Sequence, residues 1–411
     1  MSTPTLPWGP ADRAAVTAVP GGITAVPGIR AGGVVAGLKD SGAPDLALVD
    51  AGERVACAAV TTTNLVKAAP CVVTERHVAD GRARAVIVNA GNANACTGAA
   101  GLEAAVRTTE AVAAVLGCEP SDVVPLSTGI IGVPLPVERI VAAVPDLVAD
   151  LTSDPDGAER AARAITTTDT VVKSRAYEVA DDAGTATVAG FAKGAGMIEP
   201  AMATMLAVLA TDAPLSGPVL HRVLGQAVAR TFNRISVDAC GSTNDTVVLL
   251  ATGAATEPPD LAAVQTGIEA VCADLAHAIV ADGEGTSKVA AVTVRGAPTE
   301  EDADRLARAV TGSVLVRAAL HGADPNWGRI LAAMGTAGVP FDPDRVQVAI
   351  GGVTVCRSGT ATAFDPGQAA AAMSKDEVEV DVDLGAGEHA VTRLTADLTP
   401  QYVADNAYYT T

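Results

Sequence analysis

Hydrophobic positions along the chain follow two different periods. Short runs of valine, leucine and isoleucine, four to eight residues long, read as buried strands. They fall at 33–37, 46–49, 55–60 and 84–88, and again at 123–132, where the run passes into a polar Gly/Thr loop. Longer stretches with apolar residues three and four apart predict helices at 102–116, 137–151, 155–165, 218–235, 260–281 and 300–321. Further strands are expected up to Phe191, then at 246–251, 289–295, 346–355 and 378–382. Strands and helices are interspersed from end to end, which predicts an α/β class with layered sheets and helices. No fixed repeat of 20–50 residues recurs. No low-complexity linker separates domains, and the composition shifts most between 190 and 215, where Gly and Met gather.

Composition sharpens this picture. With 49% hydrophobic residues and a mean hydropathy of +0.32, the 411-residue chain has ample material for a core. Two Trp, four Tyr and four Phe leave that core to be built from Val, Leu, Ile and Ala. The formal charge of -19 argues against nucleic acid and against an anionic membrane surface as partners. The N-terminus has no basic start and no apolar h-region, so no signal peptide is expected. The apolar run at 202–210 is far shorter than a bilayer span. Seven scattered cysteines without a CxxC predict free thiols in a reducing, cytoplasmic compartment. Five histidines with no HxxxH or HxxH spacing predict no metal site. Signatures for a dinucleotide, a P-loop and a nucleophile elbow are missing.

The most informative stretch is KGAGMIEPAMATML, residues 193–206. Two glycines beside Lys193 permit tight turns, and Pro200 interrupts any helix. The apolar run from Met205 onward then reads as a buried strand. A threonine at such a junction ordinarily satisfies its own backbone. It can also be a nucleophile if a base is at hand, and one base is its own α-amine, freed when the chain is cut before it. Cutting between Ala203 and Thr204 would free that amine.

This stretch resembles the self-processing signature of the ornithine acetyltransferase family, whose members are also described as glutamate N-acetyltransferases. The likeness extends over VNAGNANACTG (88–98), PLSTGIIG (125–132), TTDTVVK (167–173), TFNRISVD (231–238), GSTNDTVVLL (241–250), DGEGTSK (282–288), GADPNWGRILAAMG (322–335) and DLTPQYVADNAYYTT (397–411), in family order. The resemblance implies self-cleavage between Ala203 and Thr204, with Thr204 as the acetyl acceptor. It implies an oxyanion hole from Thr128 and Gly129, and substrate contacts from Thr167, Lys193, Thr204, Glu284, Asn406 and Thr411. Three consecutive threonines, 166–168, leave one register open, and alignment on Asp169 selects Thr167. The Asn326-Trp327-Gly328 segment reads as a turn with a packed indole.

The implied architecture is a layered α/β sandwich of two intertwined fragments, 1–203 and 204–411, assembled as α₂β₂. The implied reaction moves an acetyl group from N-acetyl-ornithine to glutamate through acetyl-Thr204, as a step of arginine biosynthesis. No metal or organic cofactor is required, and acetyl-CoA is an alternative donor among relatives. Two other readings are an amidase or aminopeptidase using the same threonine, and a secondary-pathway relative with another acceptor. A non-catalytic amino-acid binder is a further alternative.

Overall fold

Pairing, more than local propensity, decides where each element ends. A computed structural model describes residues 16–199 and 205–408. In chain order its strands are β1 (Val16–Ala18), β2 (Arg30–Val34), β3 (Leu46–Thr61), β4 (Arg82–Asn92), β5 (Val123–Ile130), β6 (Lys173–Asp181), β7 (Gly184–Lys193), β8 (Leu206–Thr211), β9 (Ile235–Ser236), β10 (Thr246–Ala251), β11 (Val289–Ala297), β12 (Gln347–Ile350), β13 (Val353–Arg357), β14 (Thr360–Ala361), β15 (Glu377–Asp383) and β16 (His389–Ala396). The α-helices are α1 (Ala69–His77), α2 (Gly98–Leu116), α3 (Val137–Ala149), α4 (Pro155–Ala164), α5 (Gly217–Arg230), α6 (Leu261–Ala281), α7 (Glu300–Thr311), α8 (Val314–His321), α9 (Trp327–Met334), α10 (Pro366–Met373) and α11 (Pro400–Tyr408).

The expected α/β class is what the chain adopts, in two sheets. The larger runs β1-β6-β7-β8-β10-β3-β4-β5, with β2 added alongside β3. The smaller runs β14-β13-β12-β15-β11-β16-β9. At the centre of the larger sheet β8 and β10 lie parallel, Leu206 opposite Thr246, and every residue of both is buried. Strands covered on both faces read as unbroken apolar runs, which is why this part of the sequence shows no alternation. Helices α5 and α6 cover one face of that sheet, sharing a core with Val289, Leu394 and Ala396 of the smaller sheet. The 21-residue helix α6 is apolar enough to cross a membrane by length and composition alone. Here 72% of its most apolar window is buried within the protein, so it is a core helix. The smaller sheet packs its other face against α7, α8 and α9.

Four sequence expectations are corrected. The runs at 46–49 and 55–60 form one strand, β3, with a register shift between Asp50 and Val55, because both pair antiparallel with β4. The helix expected over 218–235 ends at Arg230, and a 3₁₀ turn at 232–234 leads into β9. The helix expected over 300–321 is two, α7 and α8, because the Ser313 hydroxyl accepts the Val316 N–H and restarts the chain. The strand expected over 346–355 is a hairpin, turned at Gly351 and Gly352 with φ of +55° and +81°. Asn326 proves to be the N-cap of α9, and Trp327 packs against the core of the smaller sheet. The seven cysteines are all free.

Candidate active site

The site begins at the end of β5. β4 and β5 run parallel, and Gly91 is paired with Gly129 at their close. A Cβ on Gly129 would stand 2.3 Å from the Gly91 carbonyl carbon and 2.4 Å from the Asn92 nitrogen. Its φ of +131° is likewise outside what a side chain tolerates. Only glycine lets the two backbones approach this closely. Asparagines of the NAGNAN run brace the same end: Asn92 Nδ2 donates to Val133 O, and the Asn94 N–H donates to Asn92 Oδ1. From the start of β10, Asn244 Nδ2 donates to Ser127 O at 2.8 Å and to Ala93 O at 2.6 Å. Thr128 is thereby held between fixed neighbours.

Lys193 closes β7 on the facing side. Its ammonium is buried and donates to Thr128 Oγ1 at 3.4 Å. Because Thr128 accepts from Lys193, its own hydroxyl hydrogen remains available to donate. Asp169 sits beneath Lys193 with its side chain fully buried. One of its oxygens lies 4.0 Å from Lys193 Nζ, and the carboxylate accepts Lys173 Nζ at 2.6 Å, the Gly194 N–H at 2.8 Å and the Thr167 N–H at 2.9 Å. Burial pushes the Asp169 carboxyl up, but Lys193, Lys173 and the Gly194 N–H outweigh it and hold the group at about 2. Burial pulls Lys193 below the usual lysine range, Lys173 adds to this, and Asp169 and Glu284 oppose it.

The loop after β7 is pinned at each step. The Glu284 N–H donates to Ala195 O at 2.8 Å. The Met197 and Ile198 N–H groups donate to Asp238, holding Met197 at φ +57°. Asn406 of α11 donates from Nδ2 to Glu284 Oε2 at 2.9 Å, which fixes the Glu284 carboxylate at the mouth. Gly196 is required beneath it, since a Cβ there would lie 2.5 Å from Glu284 Oε2. Gly196→Ala is therefore expected to displace Glu284 and break its bond to Asn406. A crystal structure of the variant should show that bond lost, with a thermal midpoint near that of the parent.

These groups converge on one cleft of about 790 Å³, open mouth included. Thr128, Gly129, Thr167, Lys193, Glu284 and Asn406, singled out from the sequence on separate motifs, all line it. Thr168 lines it too, while Thr166 turns its hydroxyl back to the Arg163 carbonyl. Ala203, Thr204 and Thr411 lie outside the described residues. Met205, next in the chain after Thr204, is buried, and its N–H donates to Asp245. Sequence reasoning did not single out Asp169, Asp238, Asn244, Asp245 or Tyr402. All five stand inside the quoted motifs, and only three-dimensional contact separates them from their neighbours.

Comparisons with known proteins cover nearly the whole chain. The ArgJ family model matches residues 30–411. A protein of Mycobacterium bovis named arginine biosynthesis bifunctional protein ArgJ is 46% identical over 394 residues, covering 94% of this chain and 96% of its own length. One of the same name from Thermobifida fusca is 45% identical over 391 residues, covering 95% of this chain and 100% of its own. A solved structure of ornithine acetyltransferase complexed with ornithine, from Mycobacterium tuberculosis, is 42% identical, with a TM-score of 0.42. It covers 45% of this chain and 98% of that one.

Proposed function

The chain belongs to the ArgJ family, and from that membership we propose that it is a self-cleaving acetyltransferase moving acetyl from N-acetyl-ornithine to glutamate in arginine biosynthesis. The observation that carries this reading is the meeting of Thr128, Gly129, Lys193 and Glu284 in one cleft. Cleavage between Ala203 and Thr204 leaves Thr204 with a free α-amine. An α-amine has a pKa of roughly 7.7–8.0, suited to take the hydroxyl proton at neutral pH. Thr204 Oγ attacks the acetyl carbonyl, and the negative oxygen is met by the Thr128 hydroxyl and the Gly129 N–H. Ornithine leaves, and glutamate attacks the acetyl ester in the second half of a ping-pong cycle. Lys193 suits the substrate carboxylate and Glu284 its ammonium, one charge of each sign. Thr167 and the C-terminal Asn406 and Thr411 complete the contacts.

No metal or organic cofactor enters this scheme. The relatives carry the name bifunctional, and we extend to this chain acetyl-CoA as a second donor. Assembly of the two fragments as α₂β₂ and a cytoplasmic location belong to the same proposal. The test is intact mass under denaturing conditions. Two species, 1–203 and 204–411, with Thr at the second N-terminus, support the reading; a single 40.9 kDa chain in an active preparation refutes it. Glutamate-dependent turnover then separates a transferase from an amidase, in which water resolves the acyl-enzyme.

Glu284→Ala should leave self-cleavage intact and raise KM for the amino-acid substrates. A hydrogen bond to a charged group is worth about 1.5–3 kcal/mol, so the rise should be roughly tenfold to a hundredfold. Unchanged kinetics would remove Glu284 from the amine-binding role.

A further inference from the structure

Acidic side chains grip the chain on both sides of residues 200–204. Asp238 takes the Met197 and Ile198 N–H groups, Glu199 meets Arg308 at 3.0 Å, and Asp245 Oδ1 takes the Met205 N–H at 2.9 Å. Arg308 balances Glu199, and three N–H groups, the third from Cys240, satisfy Asp238. Asp245 is different. It has no exposed surface, it forms no ion pair among the described residues, and its Oδ2 has no hydrogen-bond partner there. A carboxylate so placed would cost several kcal/mol, which favours the protonated form. Burial pushes Asp245 well above the ordinary carboxylate range. The Met205 N–H, the Thr62 hydroxyl and the more distant Lys193 charge only partly oppose it.

The Met205 nitrogen is bonded to the carbonyl carbon of Thr204. A buried acid with an unpartnered oxygen thus holds the N–H of the residue that follows the proposed nucleophile in the chain. We propose that Asp245 is the proton reservoir for the Thr204 nitrogen, both in self-cleavage and in acetyl transfer. This rests on the self-cleavage reading above. In the cut, Thr204 Oγ bonds to the Ala203 carbonyl carbon, and the Ala203–Thr204 C–N bond breaks. The departing nitrogen keeps its hydrogen and takes two more, one from the Asp245 carboxyl and one from the Thr204 hydroxyl. An ammonium then faces an Asp245 carboxylate, so neither charge is buried alone. Water splits the Ala203–Oγ ester, giving the Ala203 carboxylate, a proton to solvent and the restored hydroxyl. In each transfer the ammonium returns one proton to Asp245. The neutral amine then takes the Thr204 hydroxyl proton and passes it to the leaving nitrogen of the donor.

The test follows self-cleavage of the full chain by intact mass in wild type, Thr204→Ala and Asp245→Asn. Asparagine keeps the oxygen that accepts the Met205 N–H but can neither give nor take a proton. Cleavage should slow at least ~100-fold, the lower end of what a positioned acid contributes. If the Asn chain does not fold, the size-matched pair Asp245→Glu and Asp245→Gln decides: Glu should cleave and Gln should not. A neutral carboxylic acid band in the infrared spectrum of Thr204→Ala, lost in Thr204→Ala/Asp245→Asn, would support the reservoir. Cleavage of Asp245→Asn within twofold of wild type, or of Gln as fast as Glu, would overturn it while leaving the self-cleavage reading intact. A wild-type chain that stays whole would overturn that reading itself, and the reservoir with it.

Discussion

Thr204→Ala is expected to leave the chain whole at 40.9 kDa and to abolish acetyl transfer. One hydroxyl is asked to do both jobs. In the precursor it attacks the Ala203 carbonyl; in the mature protein it carries the acetyl group. The base in the proposed cycle is the amine that cleavage itself liberates, so the uncut alanine chain lacks both nucleophile and base. Loss of a nucleophile acting as one unit with its base typically lowers kcat by about 10⁴-fold or more. The rest of the cleft does not depend on this hydroxyl: Lys193, Asp169, Asp238 and Glu284 make their bonds without it. The alanine chain should therefore melt near the unprocessed parent. Thr204→Ser should cleave and turn over, since a primary hydroxyl does the same chemistry. A cleaved and active Thr204→Ala chain would end the mechanism.

Asp169→Ala is expected to damage stability and activity together. The carboxylate is the counter-charge for two buried ammonium groups, Lys173 at 2.6 Å and Lys193 at 4.0 Å. Breaking a buried pair by removing one partner costs about 3–5 kcal/mol, because the other charge is left unpaired. Lys173 keeps Asp282 as a second partner, so the larger loss falls on Lys193 and on the Thr167 and Gly194 N–H groups. A lower thermal midpoint and a fall in kcat should appear in the same variant. The acid limb of stability offers a separate check. Asp169 titrates at about 2 in the folded chain and at roughly 3.9 unfolded. A depressed carboxyl contributes stability that is fully present above the unfolded value and is lost as pH falls through the folded one. The contribution is roughly 2–3 kcal/mol, vanishing between about pH 4 and pH 2. Asp169→Asn should flatten that part of the curve, which chemical denaturation at a series of pH values would read directly. An unchanged acid limb would show that Asp169 is not held by its lysines.

The legible parts of the site were those whose chemistry is local. PLSTGIIG announces a strand that ends in a glycine turn, and β5 ends there with Gly129 pressed against Gly91. Three threonines before Asp169 left a register open that neighbouring residues could not close. In the folded chain the Thr166 hydroxyl turns back to the Arg163 carbonyl, while 167 and 168 line the cleft. Four acids that tie the segments around the cleft were visible as letters but not as roles. Asp169, Asp238, Asp245 and Asp282 look alike in sequence. Their partners come from 25 to 109 positions away in several cases, as with Gly194 for Asp169 and Lys173 for Asp282.

By itself, the sequence determined the alternation of strands and helices, a core built from small aliphatic residues, and the motifs that define the family. These follow from periodicity and side-chain type, which each residue carries with it. Tertiary structure alone decided how runs are joined: pairing with β4 makes two apolar runs into the single strand β3. It also decided which way each carboxyl's hold on its proton shifts. Asp169 lies beside two lysines and is held at about 2, whereas Asp245 lies in the core with a free oxygen and is pushed well above its ordinary range. The side chains are chemically identical. Their difference is the balance of desolvation against nearby charge, and that balance exists only after distant strands have been brought together.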